Sequence, residues 1–153
     1  MSAEARYDLC LASFADLDAA TLYAILRLRS EVFVVEQDCV YLDPDGRDAE
    51  PGTRHLWIER AGAIRAYLRI LDDGDVPRIG RVVTAPDARG GGLAGTLVTE
   101  ALKVIGDRPS VLHAQAHLKN FYAKFGYEQT GPEYIEDGIP HIPMLREAPP
   151  PVR

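Results

Sequence analysis

Cysteine is scarce in this 153-residue chain: Cys10 and Cys39 are the only two. They lack C-x-x-C spacing and cannot build a disulfide framework, so a reducing compartment is expected. Long apolar runs are missing as well. The longest, such as Val32 to Val35, span a few residues, where a membrane-crossing helix needs about 20. The opening MSAEARYDLC has no basic stretch leading into an apolar one, so no secretion signal and a cytoplasmic location are expected. No Lys/Arg-rich block occurs, and the formal net charge is −6. Nucleic acid and anionic membranes both need a basic footprint, so neither is an expected partner. By the same arithmetic the chain should repel phosphate-bearing ligands, unless something local overcomes the global sign.

What is present is ordinary for a globular protein: 46% hydrophobic, 26% charged and 8% aromatic residues. Residues 1–147 carry no repeat or low-complexity linker and read as one domain; the proline-rich 148–153 reads as a tail. Alternation at Tyr7, Leu9 and Leu11 predicts a first strand. Asp18 can cap a helix whose buried stripe is Leu22, Ile25, Leu26, Arg29, Val32 and Phe33. The segment YLDPDGRDAEPGTR after Val40 must be loop. His55 to Glu59 and Ile64 to Leu71 form a hairpin, and a turn at Asp72 to Asp75 leads into a strand at Arg78 to Val83. Leu93 to Ile105 is an amphipathic helix stopped by Gly106. Then come a strand at Ser110 to Ala116, a short helix at Leu118 to Phe125, an extended stretch from Tyr127 and a last strand at His141 to Leu145. The order β-α-β-β-β-α-β-α-β-β makes early strands antiparallel neighbours and 78–116 a right-handed parallel crossover. The expected class is α/β (α+β): a mixed, mostly antiparallel sheet of about seven strands with flanking helices.

The most informative segment is ARGGGLAGT, where a strand feeds a helix. Three glycines in a row bare several backbone N–H groups, and a helix N-terminus adds partial positive charge, which together suit a phosphate or pyrophosphate. Arg89 adds one full charge. A P-loop fails because no Lys follows Gly95. Gly90, Gly92 and Gly95 satisfy G-x-G-x-x-G, but a Rossmann site wants an acidic residue at the end of the next strand, and this one ends at Gln115-Ala116-His117. A plain flexible connection is the remaining alternative.

Arg89-Gly90-Gly91-Gly92-Leu93-Ala94 fits the R/Q-x-x-G-x-G/A signature, and the chain around it resembles the GCN5-related N-acetyltransferases. Asn120 to Tyr127 is similar to that family's second helix motif ending in Gly-Phe/Tyr. Within the family the ElaA-like branch is the nearer resemblance. It is carried by Leu28-Arg29-x-x-Val32-Phe33-Val34-Val35-Glu36-Gln37-x-Cys39, Tyr41-x-Asp43-x-Asp45-Gly46, Ile79-Gly80-Arg81-Val82, Ala114 to Leu118 and Glu136 to Ile142.

That resemblance implies an acyl-CoA-dependent N-acyltransferase using acetyl-CoA, with direct attack by a primary amine. The pyrophosphate would sit on the amides of Gly90, Gly91, Gly92, Leu93, Ala94 and Gly95, helped by Arg89 and, on the next helix, by Asn120. The pantetheine arm would lie along Val82, Val83 and Thr84, where a backbone N–H can stabilise the oxyanion. Tyr122 would protonate the leaving thiolate; a core aromatic is its other reading. For the base, His117 is the first candidate, with Glu36 and His141 as rivals. Arg29, Glu36 and His141 are the candidate acceptor contacts, although an arginine on an apolar stripe more often makes a structural salt bridge. The acceptor would be a small-molecule or peptide amine, and a monomer or homodimer is expected.

No metal is expected. An EF-hand reading of Asp43 to Asp48 fails on alignment, and His113 and His117, four residues apart on a strand, stand about 13 Å apart. Two alternatives remain: an acyl-homoserine-lactone synthase, which the Arg89 to Ala94 loop argues against, and a non-catalytic CoA-binding sensor.

Overall fold

The computed structural model describes residues 6–149, so the end of the expected tail lies outside the described residues. Its strands are β1 (Asp8–Ser13), β2 (Arg54–Arg60), β3 (Ala63–Leu71), β4 (Arg78–Thr84), β5 (Ser110–Gln115), β6 (Glu128–Gln129), β7 (Tyr134–Glu136) and β8 (Ile139–Arg146). The helices are α1 (Ala19–Arg29), α2 (Leu93–Ile105) and α3 (Lys119–Ala123). All eight strands join one mixed sheet in the order β1-β2-β3-β4-β5-β8-β6, with β7 also on β8. Only β4 and β5 run parallel.

The strand beyond the expected seven is β7. It is three residues long, too short for alternation to reveal it. Helix α3 is shorter than the stretch expected from Leu118 to Phe125, and β8 begins two residues before His141. Asp18 caps α1 as expected, its carboxylate accepting from the Thr21 N–H at 2.7 Å. The apolar stripe does not stay α-helical, however. After Arg29 the chain widens into a π-helix, Ser30–Glu36, in which the Gln37 N–H reaches back five residues to the Val32 carbonyl. Such turns are rare and gather at functional sites.

Two apolar layers cover the sheet. On one face α2 buries Leu97, Val98, Ala101 and Ile105 against Leu56, Ile58, Leu68 and Leu112. On the other, α1 and its π-helical extension bury Ile25, Leu28 and Val32 against Trp57, Tyr67 and Val83. The period-2 strand pattern and the 3.6-period stripe of α2 set this sandwich. Among the described residues no helix is long and apolar enough to cross a membrane.

Candidate active site

The site opens where the sheet splits. Strands β4 and β5 share a single register pair, Arg78 with Val111, and then part. A cleft of about 1260 Å³ fills the gap, and Val82, Val83, Thr84, Ala114 and Gln115 are among its lining residues. Beyond Arg78 the edge of β4 facing β5 has no strand partner, so its backbone N–H and C=O groups are open to an extended ligand. A bulge shapes the same stretch. Tyr67 pairs Val83 while Arg69 pairs Gly80, which leaves one extra residue on β4. That kink includes Arg81, a non-glycine residue in the left-handed region at φ +54°.

From β4 the chain passes through a short 3₁₀ turn, Pro86–Ala88, into the glycine loop and α2. Gly90 and Gly92 adopt φ +86° and +77°, and a Cβ at either would meet nothing within 4 Å. Backbone conformation, not crowding, calls for glycine there, and open space remains above the helix start. No side chain caps α2, so its first N–H groups are unclaimed by any side chain of the loop.

Arg89 and Ala94 line the cleft, as expected of the loop. The partner of Arg89 was not expected. Its guanidinium forms a two-pronged pair with Glu36 at the end of the π-helix, one arm at 2.7 Å. The pair lowers the Glu36 carboxyl below its usual range and raises the Arg89 guanidinium. Sequence reasoning had sent Arg89 to a pyrophosphate and Glu36 to the acceptor; the structure joins them to each other.

Tyr122 is buried on α3 and lines the cleft, its ring edge-on to Phe121 and Tyr127. Burial, with a smaller contribution from Tyr127, pushes its phenol well above the usual range. Among the described residues its hydroxyl has no hydrogen-bond partner. His117 is exposed, in a 3₁₀ turn just past the end of β5, and also lines the cleft. Asn120 is exposed on the first turn of α3 and lies outside the cleft lining.

His141 lines the cleft from β8, opposite Gln115 of β5. Its Nδ1 lies 2.7 Å from the Ile139 carbonyl oxygen. Nearby, the His113 imidazole meets the Tyr134 hydroxyl at 2.6 Å and is shifted below its usual range, by burial first and then by Arg78.

Arg29, expected as an acceptor contact or a salt bridge, takes the structural role. It is fully buried, outside the cleft lining, and bonds Asp43 at 2.8 Å and Asp48 at 2.7 Å. Burial opposes its charge, but these partners prevail and hold the guanidinium above its usual range. Sequence reasoning missed the rest of this network. Arg69 of β3 bonds Asp45 at 2.6 Å and Asp48 at 3.0 Å. Arg81 at the bulge is ion-paired with the Asp43 carboxylate at 2.9 Å and donates from Nη2 to the Asp43 carbonyl at 3.0 Å. Tyr41 donates to Asp43 at 2.7 Å, and its ring lies against the Arg81 guanidinium. The crowding of aspartates in the long loop was the available signal, but their arginines lie on three other elements. Among the described residues no cluster of His, Cys, Asp or Glu could hold a metal ion.

Comparison with known proteins fits this geometry. The family model described as an acetyltransferase (GNAT) domain matches residues 32–148. A UPF0039 protein of Mycobacterium tuberculosis is 48% identical over 136 residues, covering 86% of this chain and 87% of that one. The Escherichia coli protein ElaA is 43% identical over 139 residues, 86% of this chain and 91% of its own. Its crystal structure superposes with a TM-score of 0.88, covering 93% of this chain and 100% of that one. An acyl-CoA N-acyltransferase of Pseudomonas aeruginosa, 44% identical, also gives 0.88 and covers 92% and 99%. On these matches the chain belongs to the GNAT acetyltransferase family, in its ElaA-like branch.

Proposed function

We propose that the cleft binds acetyl-CoA and transfers its acetyl group to a primary amine by direct attack, in a reducing cytoplasm and without a metal. The observation that carries this reading is the unpaired β4 edge running straight into an uncapped helix start. An extended amide-bearing arm can pair with Val82 to Thr84 as an added strand, while a pyrophosphate caps the N–H groups of Gly90 to Gly95. Arg89 can turn from Glu36 to that pyrophosphate. A β4 backbone N–H supplies the oxyanion contact, worth about 3–4 kcal/mol in comparable acyl transfers.

Tyr122 is the proton donor to the departing thiolate. Burial keeps the phenol protonated in the resting enzyme and also makes it a weaker acid, so its transfer to sulfur is drawn forward by the proton that the attacking nitrogen sheds back to it. The acceptor is a small-molecule or peptide amine entering from the other side of the split. The test is thiol release from acetyl-CoA across a panel of amines, with binding of acetyl-CoA followed by calorimetry. Release with at least one amine is expected. Tight binding without release from any amine would identify a CoA sensor, and no binding would overturn both.

A further inference from the structure

We infer that His141 is the general base that takes the proton from the acceptor amine, with Glu136 as the group that steadies and drains its charge. This inference rests on the transferase reading above. It begins with a tautomer. A carbonyl oxygen can only accept, so the 2.7 Å contact with Ile139 requires a proton on Nδ1 of His141. In the neutral ring the lone pair is therefore on Nε2. That nitrogen makes no hydrogen bond among the described residues; its nearest charged neighbour is the Glu136 carboxylate at 4.0 Å, too far for one. The ring itself is held, stacked on Tyr134 with centroids 5.9 Å apart and planes at 26°. A fixed tautomer, a locked ring and a free lone pair are what a base needs.

Placement agrees. Gln115 at the end of β5 pairs with His141 of β8, and both line the cleft that Val82, Val83 and Thr84 of β4 line from the other side of the split. The side chains on β5 alternate between faces: Leu112 and Ala114 pack with α2, so His113 and Gln115 point to the opposite face, as does His141 beside them. The base thus lies across the split from the expected cofactor side. Both rivals are weaker. Glu36 is tied up by Arg89, which lowers its basicity, and the exposed His117 ring has no hydrogen bond to fix its tautomer.

The protons balance. One proton of the acceptor ammonium goes to Nε2 and leaves past Glu136 to solvent. The freed nitrogen pair forms the C–N bond as the C–S bond breaks. Sulfur takes the Tyr122 proton, and the second proton shed by nitrogen restores the phenol. The groups that bear on the His141 charge are Glu136 and Tyr134 on β7, His113 on β5, whose own charge opposes it, and Arg78 on β4, a cation that acts on both His113 and Tyr134.

The test is the pH profile of kcat/KM for wild type, His141→Gln, His117→Gln and Glu136→Gln, with acetyl-CoA binding measured for each. Wild type should gain activity as pH rises through the limb that reports the proton-accepting group. His141→Gln should lose about 100-fold or more in kcat near neutrality and lose that limb, with acetyl-CoA affinity kept. Glu136→Gln should shift the limb to lower pH, because imidazolium loses its counter-charge. A limb that survives in His141→Gln, or vanishes in His117→Gln instead, overturns the assignment while leaving the transferase reading intact. A wild type that binds acetyl-CoA but releases no thiol overturns both.

Discussion

At the scale of the residue, two side chains carry more than their sequence context announces. Tyr122 sits among aromatics and could pass for core, yet its hydroxyl has no hydrogen-bond partner among the described residues and its ring lines the cleft. That hydroxyl is not sealed in the core, so a group bound in the cleft can reach it. Tyr122→Phe should therefore fold normally, bind acetyl-CoA within about twofold of wild type, and lose about 10- to 100-fold in kcat, a loss typical of removing one proton donor. Unchanged kcat would remove Tyr122 from the chemistry. Glu36 poses the opposite case. It holds the one side-chain cation of the glycine loop, so any pyrophosphate must displace it. Both side chains are about half exposed, 45% for Arg89 and 42% for Glu36, which keeps the pair weak. Glu36→Gln should consequently tighten CoA binding by about two- to fivefold in a calorimetric titration. Weaker binding would show that Glu36 helps the cofactor rather than competing with it.

At the scale of the element, the long loop between the π-helix and β2 explains how a strained strand is held. Arg81 at the β4 bulge is bonded to Asp43; Asp43 and Asp48 also bind Arg29 of α1, and Asp45 and Asp48 bind Arg69 of β3. Three arginines and three aspartates thus fasten a coil segment to α1, β3 and β4. Removing one member strands charges in a dry place, so Arg29→Met should cost about 3–5 kcal/mol in urea unfolding. Acid should reveal the same network. Arg69 holds the Asp45 carboxyl below its usual range; burial works against Asp48, but Arg29 and Arg69 prevail and lower it too. Groups lowered by folding stabilise fully above the unfolded value, about 3.9, and lose that contribution as pH falls through the native values. Unfolding free energy should decline below about pH 6.5, where His55 and His113, both held below their usual range, take up protons more readily in the unfolded chain. It should fall further below about 4, with a shallower drop there in Asp45→Asn. The network also marks the limit of what the sequence made legible. Strand alternation, the α2 stripe and the glycine loop are local patterns, and the sheet and the proposed cofactor side of the site follow from them. The Arg29–Asp43 and Arg89–Glu36 pairs join residues 14 and 53 positions apart, and only the folded chain decides which charges meet. The bulge is equally hidden, since nothing in Ile79-Gly80-Arg81-Val82 announces an extra residue on one strand.

At the scale of the whole molecule, the net charge of −6 can now be divided between the two sides of the split. On the proposed reading the cofactor side would use backbone amides, a helix start and one arginine already paired with Glu36, so it would need no basic surface. The proposed acceptor side has Glu136 and Asp137 at the cleft wall near His141, with Arg78 opposing them. Salt separates the two contributions, because screening acts on long-range attraction far more than on contacts made at bonding distance. As ionic strength rises from about 0.05 to 0.5 M, the Debye length falls from about 14 to 4 Å, and kcat/KM for a di- or polyamine acceptor should fall severalfold. The dissociation constant of CoA should move little over the same range. Screening removes the general repulsion between a −6 protein and a polyanion while weakening the single Arg89 contact, and the two changes oppose each other. A steep salt-driven loss of CoA binding would mean that several basic side chains, not backbone amides, hold the pyrophosphate. A flat acceptor profile would mean that the amine arrives without steering, guided only by the walls of the cleft.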